Sequence, residues 1–208
     1  MLDLFANFKP SIADSVCQTI DIGKLHLPSG RIFCCDPFLS DEVNALDITV
    51  APGSYDVKLC IASLPEWGKR VALAGLIISK HAPMRWQEAT YSTDGEQLSG
   101  FPVDAGLACF MDQETRQRFI QIFDDFYTAN PDGNYYDDVL ADEFKLSADP
   151  NNPHACGDWT LHYPSKDSPI NIAMFASGLG DGYYQAFWGM DFMDRPAMLI
   201  IDFGLLEN

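Results

Sequence analysis

Residues 71–79 read Val-Ala-Leu-Ala-Gly-Leu-Ile-Ile-Ser, a nearly continuous apolar run in a chain of 208 residues. The run is far shorter than the roughly 18 to 20 apolar residues needed to cross a bilayer. A short run without polar alternation is typical of a strand that is buried on both of its faces. We therefore predict a central buried strand here, with the remaining strands arranged around it.

The segments on either side of this run also have the patterns of strands. Upstream, residues 55–61 alternate between apolar and other residues, and a turn at Trp67-Gly68 follows them. Farther upstream, residues 23–27 and 31–35 flank Pro28-Ser29-Gly30, which predicts a hairpin. The downstream sequence predicts a strand at 170–175 and a terminal hairpin formed by 183–188 and 197–203.

One segment has the pattern of an amphipathic helix. Asp112 is suited to the N-cap of a helix that runs to about Thr128. Its apolar stripe at helical spacing consists of Phe119, Ile120, Phe123, Phe126 and Tyr127. A short second helix is predicted at 136–144, and 145–169 is expected to be irregular. The predicted fold is α+β, a mostly antiparallel β-sheet or sandwich with one main amphipathic helix packed on it, in a single domain over 1–208.

The composition narrows the functional classes. The chain has 30 acidic and 13 basic residues, a formal charge of −17, and 47% hydrophobic residues. The hydrophobic fraction is enough for a packed core, so the chain is not a disordered acidic tail. The charge repels nucleic acid and anionic membranes. The six cysteines form no CxxC pair, and no secretory signal is evident, so we expect reduced thiols and a cytoplasmic location.

The charge is concentrated in residues 119–144, which we call the acidic segment, because it contains no Lys or Arg at all. Aromatic residues, which often anchor protein interfaces, are interspersed among its carboxylates. We predict that it binds a basic protein partner. A solvated face that only keeps the protein soluble is the alternative interpretation. The predicted contact residues are Asp124, Asp125, Tyr127, Asp132, Tyr135, Tyr136, Asp137, Asp138, Asp142 and Glu143.

Motifs that would indicate catalysis are weak. The glycine loop at 177–182 lacks the P-loop and dinucleotide-binding patterns and is expected to form a tight turn. A zinc site of His154, Cys156 and His162 with Asp158 matches no standard spacing. No GxSxG motif is present, and Cys109 lies among apolar residues, which favour an inert thiol. The aspartates in turn-like contexts are expected to build turns; they are Asp36, Asp104, Asp181, Asp191 and Asp202. No cofactor or metal is predicted.

Six motifs follow one another along the chain. They are Leu27-Pro-Ser-Gly-Arg-Ile-Phe-Cys-Cys-Asp-Pro-Phe38, Pro52-Gly-Ser-Tyr-Asp-Val57, Gly100-Phe-Pro-Val-Asp-Ala-Gly106, Ser177-Gly-Leu-Gly-Asp-Gly-Tyr183, Trp188-Gly-Met-Asp191 and Ile201-Asp-Phe203. In this order they resemble the DUF4241 family of uncharacterised bacterial proteins. The chain departs from the family at Asp56, where proline is frequent, and at 192–196, where the final turn usually carries glycine. The resemblance implies no established activity. Some members are similar to immunity proteins that neutralise bacterial toxins.

These observations favour a binding protein over an enzyme. The specific expectation is an immunity protein whose acidic segment blocks the active site of a basic toxin. The alternative is a hydrolase or metal-dependent enzyme that uses Asp104, Asp181 and the loop glycines. The motifs of the resemblance lie outside the acidic segment in the sequence.

Overall fold

The computed structural model describes residues 5–8, 17–39, 43–148, 157–165 and 167–206. Within these ranges the strands are, in chain order, β1 (Cys17–Leu27), β2 (Ile32–Cys35), β3 (Gly53–Leu64), β4 (Gly68–Ile77), β5 (Arg85–Glu88), β6 (Thr90–Thr93), β7 (Glu96–Ser99), β8 (Phe101–Val103), β9 (Leu107–Asp112), β10 (Trp159–His162), β11 (Ile172–Ala176), β12 (Gly182–Met190) and β13 (Pro196–Asp202). Helix α1 spans Gln113–Ala129. A π-helical turn at Tyr136–Leu140 continues into helix α2 at Ala141–Lys145.

The strands form two main antiparallel sheets with a common core. The larger sheet has the order β1-β3-β4-β13-β12-β5, and β8 also pairs with β12. The smaller sheet has the order β10-β11-β9-β2, and β6 and β7 form a separate hairpin. Apolar side chains from both main sheets belong to one buried cluster. This arrangement confirms the predicted α+β fold with mostly antiparallel sheets.

Strand β4 has buried side chains on both faces, as its apolar run predicts. Val71, Ala74 and Leu76 belong to the core between the two sheets. Ala72 and Leu73 belong to a second cluster, which also contains Phe5. The Phe5 ring packs so closely that a Cβ atom added at Gly75 would lie 2.9 Å from its Cε1 atom. The outer face of the larger sheet is therefore covered at β4, which explains the absence of polar alternation in this strand.

The helical segments lie against the smaller sheet. Helix α1 contacts β9, and α2 contacts β10. The guanidinium of Arg116 lies 5.0 Å from the centre of the Phe33 ring in β2. All four residues of β2 and all six of β9 are buried, as expected for strands covered on both sides. No described helix combines the length and the apolar character that crossing a membrane requires.

The predicted hairpin at Pro28-Ser29-Gly30 is wrong. Strand β1 pairs with β3 in the larger sheet, whereas β2 pairs with β9 in the smaller sheet. The turn therefore carries the chain from one sheet to the other. Gly30 has a φ angle of +71°, and a Cβ atom there would lie 2.0 Å from the Val50 carbonyl oxygen. Only glycine fits this close backbone approach without a rearrangement.

The carboxylate of Asp112 fixes this crossing. It accepts hydrogen bonds from the Ser29 amide (3.1 Å), the Ser29 hydroxyl (2.9 Å) and the Gly30 amide (3.1 Å). It also accepts from the Glu114 amide at 2.8 Å, which confirms it as the N-cap of α1. One fully buried side chain thus joins the crossing turn to the start of the main helix.

Other local predictions have mixed outcomes. The β3–β4 hairpin, the short helix after 135 and the terminal β12–β13 hairpin are confirmed. The segment at 145–169 is not wholly irregular, because β10 lies within it and pairs with β11. The glycines and the proline of 100–106 favour a loop, but this stretch contains β8, which pairs with β12. The sequence also favours a short helix at 11–17, of which 11–16 lie outside the described residues, and Cys17 itself begins β1.

The final turn is built around Asp191. Its Oδ1 atom accepts from the amides of Met193 (2.8 Å) and Arg195 (3.0 Å), and its Oδ2 lies 3.1 Å from both Arg195 Nη2 and His81 Nδ1. Burial raises the pKa of Asp191, but these hydrogen bonds outweigh it and lower the pKa to about 2. Asp194 has a φ angle of +59° within the turn at 192–196, and it accepts from Arg85 Nε at 2.9 Å.

Replacing Asp112 by alanine is expected to lower the free energy of unfolding by about 3 kcal/mol, because the N-cap is lost and buried amides lose their acceptor. Urea unfolding followed by circular dichroism measures this change. Glu114→Ala is the matched control: this exposed residue in the first turn of α1 is expected to contribute a few tenths of a kcal/mol. Similar losses in the two variants would contradict the role assigned to Asp112.

Candidate partner-binding site

The acidic segment forms a continuous feature on the surface. It comprises the second half of α1, the loop at 130–135, the π-helical turn and most of α2. Its exposed carboxylates are those of Asp124, Asp125, Asp132, Asp137, Asp138 and Asp142. Of these, Asp142 forms an ion pair with Lys145 at 2.7 Å. No described basic side chain lies within ion-pair distance of the other five, so their charges face solvent.

Tyr135 and Glu143 do not lie freely on this surface. The Tyr135 side chain is almost fully buried, and its hydroxyl lies 3.0 Å from His162 Nε2. The other ring nitrogen of His162, Nδ1, lies 3.0 Å from a carboxylate oxygen of Glu143. Tyr135, which the sequence predicts as a partner contact, thus has its ring packed inward and not on the surface. These three side chains attach the acidic segment to β10.

The environment of Tyr135 affects its ionisation. Burial of the hydroxyl and the nearby negative charge of Glu143 raise the pKa of Tyr135 to about 12. Four other rings pack around it, with centroids 5.2 to 6.5 Å away: Phe38, Phe119, Phe123 and Phe126. Tyr135 therefore lies at the buried centre of the acidic segment, and the charged residues surround it at the surface.

A cleft of about 400 Å³ opens beside this aromatic cluster. We call it the aromatic cleft; its lining residues are Phe38, Ala105, Phe123, Tyr127, Asn134 and Tyr136. The Phe38 and Phe123 rings are stacked, with centroids 5.5 Å apart, and Tyr127 meets the Phe123 ring edge-on at 4.9 Å. Two predicted contact residues, Tyr127 and Tyr136, thus line a concave site of the size that ligands or protruding side chains occupy.

The polar residues of the cleft are held in place by hydrogen bonds. Asn134 Oδ1 accepts from the amides of Tyr136 (2.9 Å) and Asp137 (3.2 Å), which fixes the start of the π-helical turn. The Tyr127 hydroxyl accepts from the Tyr135 amide at 3.2 Å. Short π-helical elements are often found at functional sites. The cleft is therefore preformed, and a ligand would not need to order it.

Two motif loops of the family resemblance form the opposite wall. The buried carboxylate of Asp36 accepts from the amides of Phe38 (2.9 Å), Asp104 (3.0 Å) and Ala105 (2.8 Å). It thereby places Phe38 and Ala105, from loops about 65 residues apart in the chain, at the same cleft. The motifs are separate from the acidic segment in the sequence, but the fold brings them against it.

The remaining loop aspartates take part in turns. Asp181 Oδ1 accepts from the Gly106 amide at 3.1 Å, and Asp202 Oδ1 accepts from the Gly204 amide at 2.9 Å. Asp104 is exposed at the rim beside Ala105. The glycine loop is closed by the Ser177 hydroxyl, which donates to the Gly180 carbonyl at 2.8 Å. The Asp202 contact is local and matches the turn-building role expected for such residues, whereas the Asp181 contact joins the glycine loop to the loop that contains Gly106.

The other candidate residues are those of the zinc set and Cys109. His154 and Cys156 lie outside the described residues, while His162 is engaged by Tyr135 and Glu143. The described residues contain no group of three side chains suited to hold a metal. Burial raises the pKa of Cys109 well above its usual range, and its sulfur lies 3.6 Å from that of Cys35.

A larger cavity of about 540 Å³ lies elsewhere, at the end of the larger sheet near Lys80 and His81. It contains no residue of the acidic segment. Two of its charged residues, Lys24 and Asp56, already pair with each other at 2.5 Å. Its lining carries charges of both signs, on Lys24, Lys80 and Asp56, so it lacks the uniformly acidic surroundings of the aromatic cleft.

The comparisons with known proteins are consistent with the motifs. The model of a family described as a protein of unknown function, DUF4241, matches residues 25–201, which is most of the chain. No curated protein and no solved structure has a significant match to the chain.

The buried Tyr135 hydroxyl gives a prediction for alkaline pH. Its pKa of about 12 lies above the value of about 10 for an unfolded chain, so the fold favours the neutral form. The resulting stability is complete below pH 10 and is lost as the pH rises towards 12. In Tyr135→Phe this loss is absent, so its free energy of unfolding should fall less steeply between pH 10 and 12.

Urea unfolding at several pH values tests this expectation. At neutral pH the same variant should be less stable by about 1–3 kcal/mol, because His162 Nε2 loses its partner. Tyr163→Phe alters a half-exposed tyrosine and should follow the parent protein at every pH. If Tyr135→Phe and the parent had parallel profiles, the assigned pKa would be wrong.

Proposed function

The chain belongs to the DUF4241 family, whose function is unknown, and we propose that it is a cytoplasmic immunity protein that neutralises a basic toxin. In this proposal the acidic segment binds over the active site of the toxin and excludes its substrate. The observation that carries it is the combination of unpaired exposed carboxylates with a preformed aromatic cleft in the same segment. Protein interfaces commonly place aromatic anchors inside such a polar rim.

The position of the charges supports a role in association. Asp124 and Asp125 lie near the C-terminal end of α1, and no basic residue occupies its last turn. Negative charge at this end opposes the helix dipole, so it costs the isolated helix some stability. Local conflicts of this kind are expected where a surface serves a ligand. The carboxylates add to the negative potential at the C-terminal end of α1, and together they would attract a basic partner over a distance.

Two further observations support this proposal. Of the two loop aspartates that the alternative enzyme would use, Asp181 accepts a hydrogen bond from the Gly106 amide, while Asp104 is exposed and its carboxylate accepts none among the described residues. A carboxylate that is occupied by a backbone amide is typical of a structural side chain, so the Asp181 contact favours the binding role over the enzyme. Cys34, Cys35 and Cys109 are free thiols, which is compatible with a reducing compartment and with the proposed cytoplasmic location.

The protein encoded by the neighbouring reading frame is the first partner to test. Association with it is measured by stopped-flow or surface plasmon resonance at several salt concentrations. Replacing Asp124, Asp125, Asp137 and Asp138 by lysine should slow association at low salt by about 10-fold or more and reduce its dependence on salt.

A matched variant separates local charge from net charge. Replacing Glu66, Glu88, Glu96 and Asp167 by lysine changes the net charge equally at exposed positions outside the acidic segment. We expect this control to alter the association rate much less. Equal effects of the two sets, or an unchanged rate in the first, would overturn the proposal.

A further inference from the structure

We propose that the aromatic cleft accommodates an arginine side chain of the partner protein. The inference rests on the proposed function and specifies the chemistry by which the partner is recognised at this site. The cleft has four aromatic side chains, those of Phe38, Phe123, Tyr127 and Tyr136, and none of its six lining residues is charged. The charge that would attract a guanidinium lies instead on the surrounding carboxylates.

The orientation of the rings suits a flat cation. Phe38 and Phe123 are stacked with an interplanar angle of 26°, whereas Tyr127 stands at 69° to Phe123. The ring faces that line the cleft therefore have two different orientations. Aromatic faces carry negative electrostatic potential and attract cations placed over them. Guanidinium is planar and weakly hydrated, so it stacks on such faces more readily than ammonium does.

A carboxylate is available at the rim. Asp138 Oδ2 accepts from the amide of Asn134, a lining residue, at 2.9 Å. No hydrogen bond among the described residues uses its Oδ1 atom, and no described cation pairs with it. Asp104, next to the lining residue Ala105, is exposed on the opposite side. A bound guanidinium would thus have acceptors for its N–H groups in addition to the aromatic faces.

The charge surrounding the cleft favours a cation over a neutral apolar side chain. No Lys or Arg occurs between positions 119 and 144; of the two basic residues that border this range, Lys145 is paired with Asp142 and Arg118 is exposed on α1. A leucine or phenylalanine would fill the cleft but leave the rim carboxylates without a new partner. The preformed geometry also reduces the entropy lost on binding, which helps a single anchoring side chain to contribute.

The test is an NMR titration of the isotope-labelled protein with N-acetyl-arginine-N-methylamide. Its matched control is the citrulline analogue, which has nearly the same shape without the charge. We expect shifts concentrated at Phe38, Ala105, Tyr127, Asn134 and Tyr136, and binding about five-fold tighter than that of the citrulline analogue. Equal binding of the two analogues, or of the lysine analogue and the arginine analogue, would overturn the assignment. So would shifts located outside the cleft.

Paired variants distinguish the contribution of the aromatic rings to binding from the contribution of the rim carboxylate. Tyr127→Leu should weaken binding of the arginine analogue by about five-fold, whereas Tyr127→Phe retains the ring and should bind normally. Asp138→Asn removes the charge but keeps an oxygen that accepts from the Asn134 amide, so the fold is maintained while binding weakens. Tyr163→Leu and Asp94→Asn, both exposed elsewhere, are the controls. Unchanged binding in both Tyr127→Leu and Asp138→Asn would refute the proposal.

Each of the two proposals can be refuted by its own experimental outcome. If the arginine analogue does not bind while the partner still associates in a salt-dependent manner through the acidic segment, the arginine assignment alone is removed. If reversing Asp124, Asp125, Asp137 and Asp138 leaves association with the partner unchanged, the proposed function is removed, whatever the titration gives.

Discussion

The buried carboxylate of Asp112 is the contact on which the arrangement of the sheets and the main helix depends. It binds the turn at Ser29 and Gly30, where the chain leaves the larger sheet, and it caps α1 through Glu114. Without these bonds, amides buried between the layers would lack acceptors, which costs more than a hydrogen bond contributes. Because the acidic segment begins within α1, its position follows from this carboxylate.

Buried carboxylates also accept hydrogen bonds from backbone amides at other turns of the chain. Asp36 holds the loops that form one wall of the aromatic cleft, and Asp191 holds the final turn with a pKa of about 2. Each is a buried carboxylate that accepts hydrogen bonds from backbone amides. The acidic composition therefore has two structural origins. Some aspartates are interior acceptors that build turns, while others, such as Asp124 and Asp137, are exposed charges.

The sequence predicts elements whose pattern is local. Strand β4 can be predicted from its apolar run, and helix α1 from its apolar stripe and N-cap residue, because periodicity and N-cap chemistry act within one element. The crossing at Pro28-Ser29-Gly30 looks like a hairpin because both use the same turn residues, and the deciding carboxylate lies 82 positions away. Tyr135 resembles its exposed neighbours in sequence and is buried through tertiary contacts with His162 and the surrounding phenylalanine rings. The cleft escapes prediction because Phe38 and Ala105 meet Tyr127 only in the fold.

The division between interior and exposed aspartates has a consequence for how this surface evolves. The carboxylates of Asp124, Asp132 and Asp137 accept no hydrogen bond among the described residues, so the fold places little constraint on these side chains. Beneath them, Tyr135 and His162 anchor the segment independently of its outer charges. Substitutions at the exposed positions can therefore accumulate without loss of folding. A lineage could change its binding specificity there in small steps while Asp36 and Asp112 preserve the scaffold.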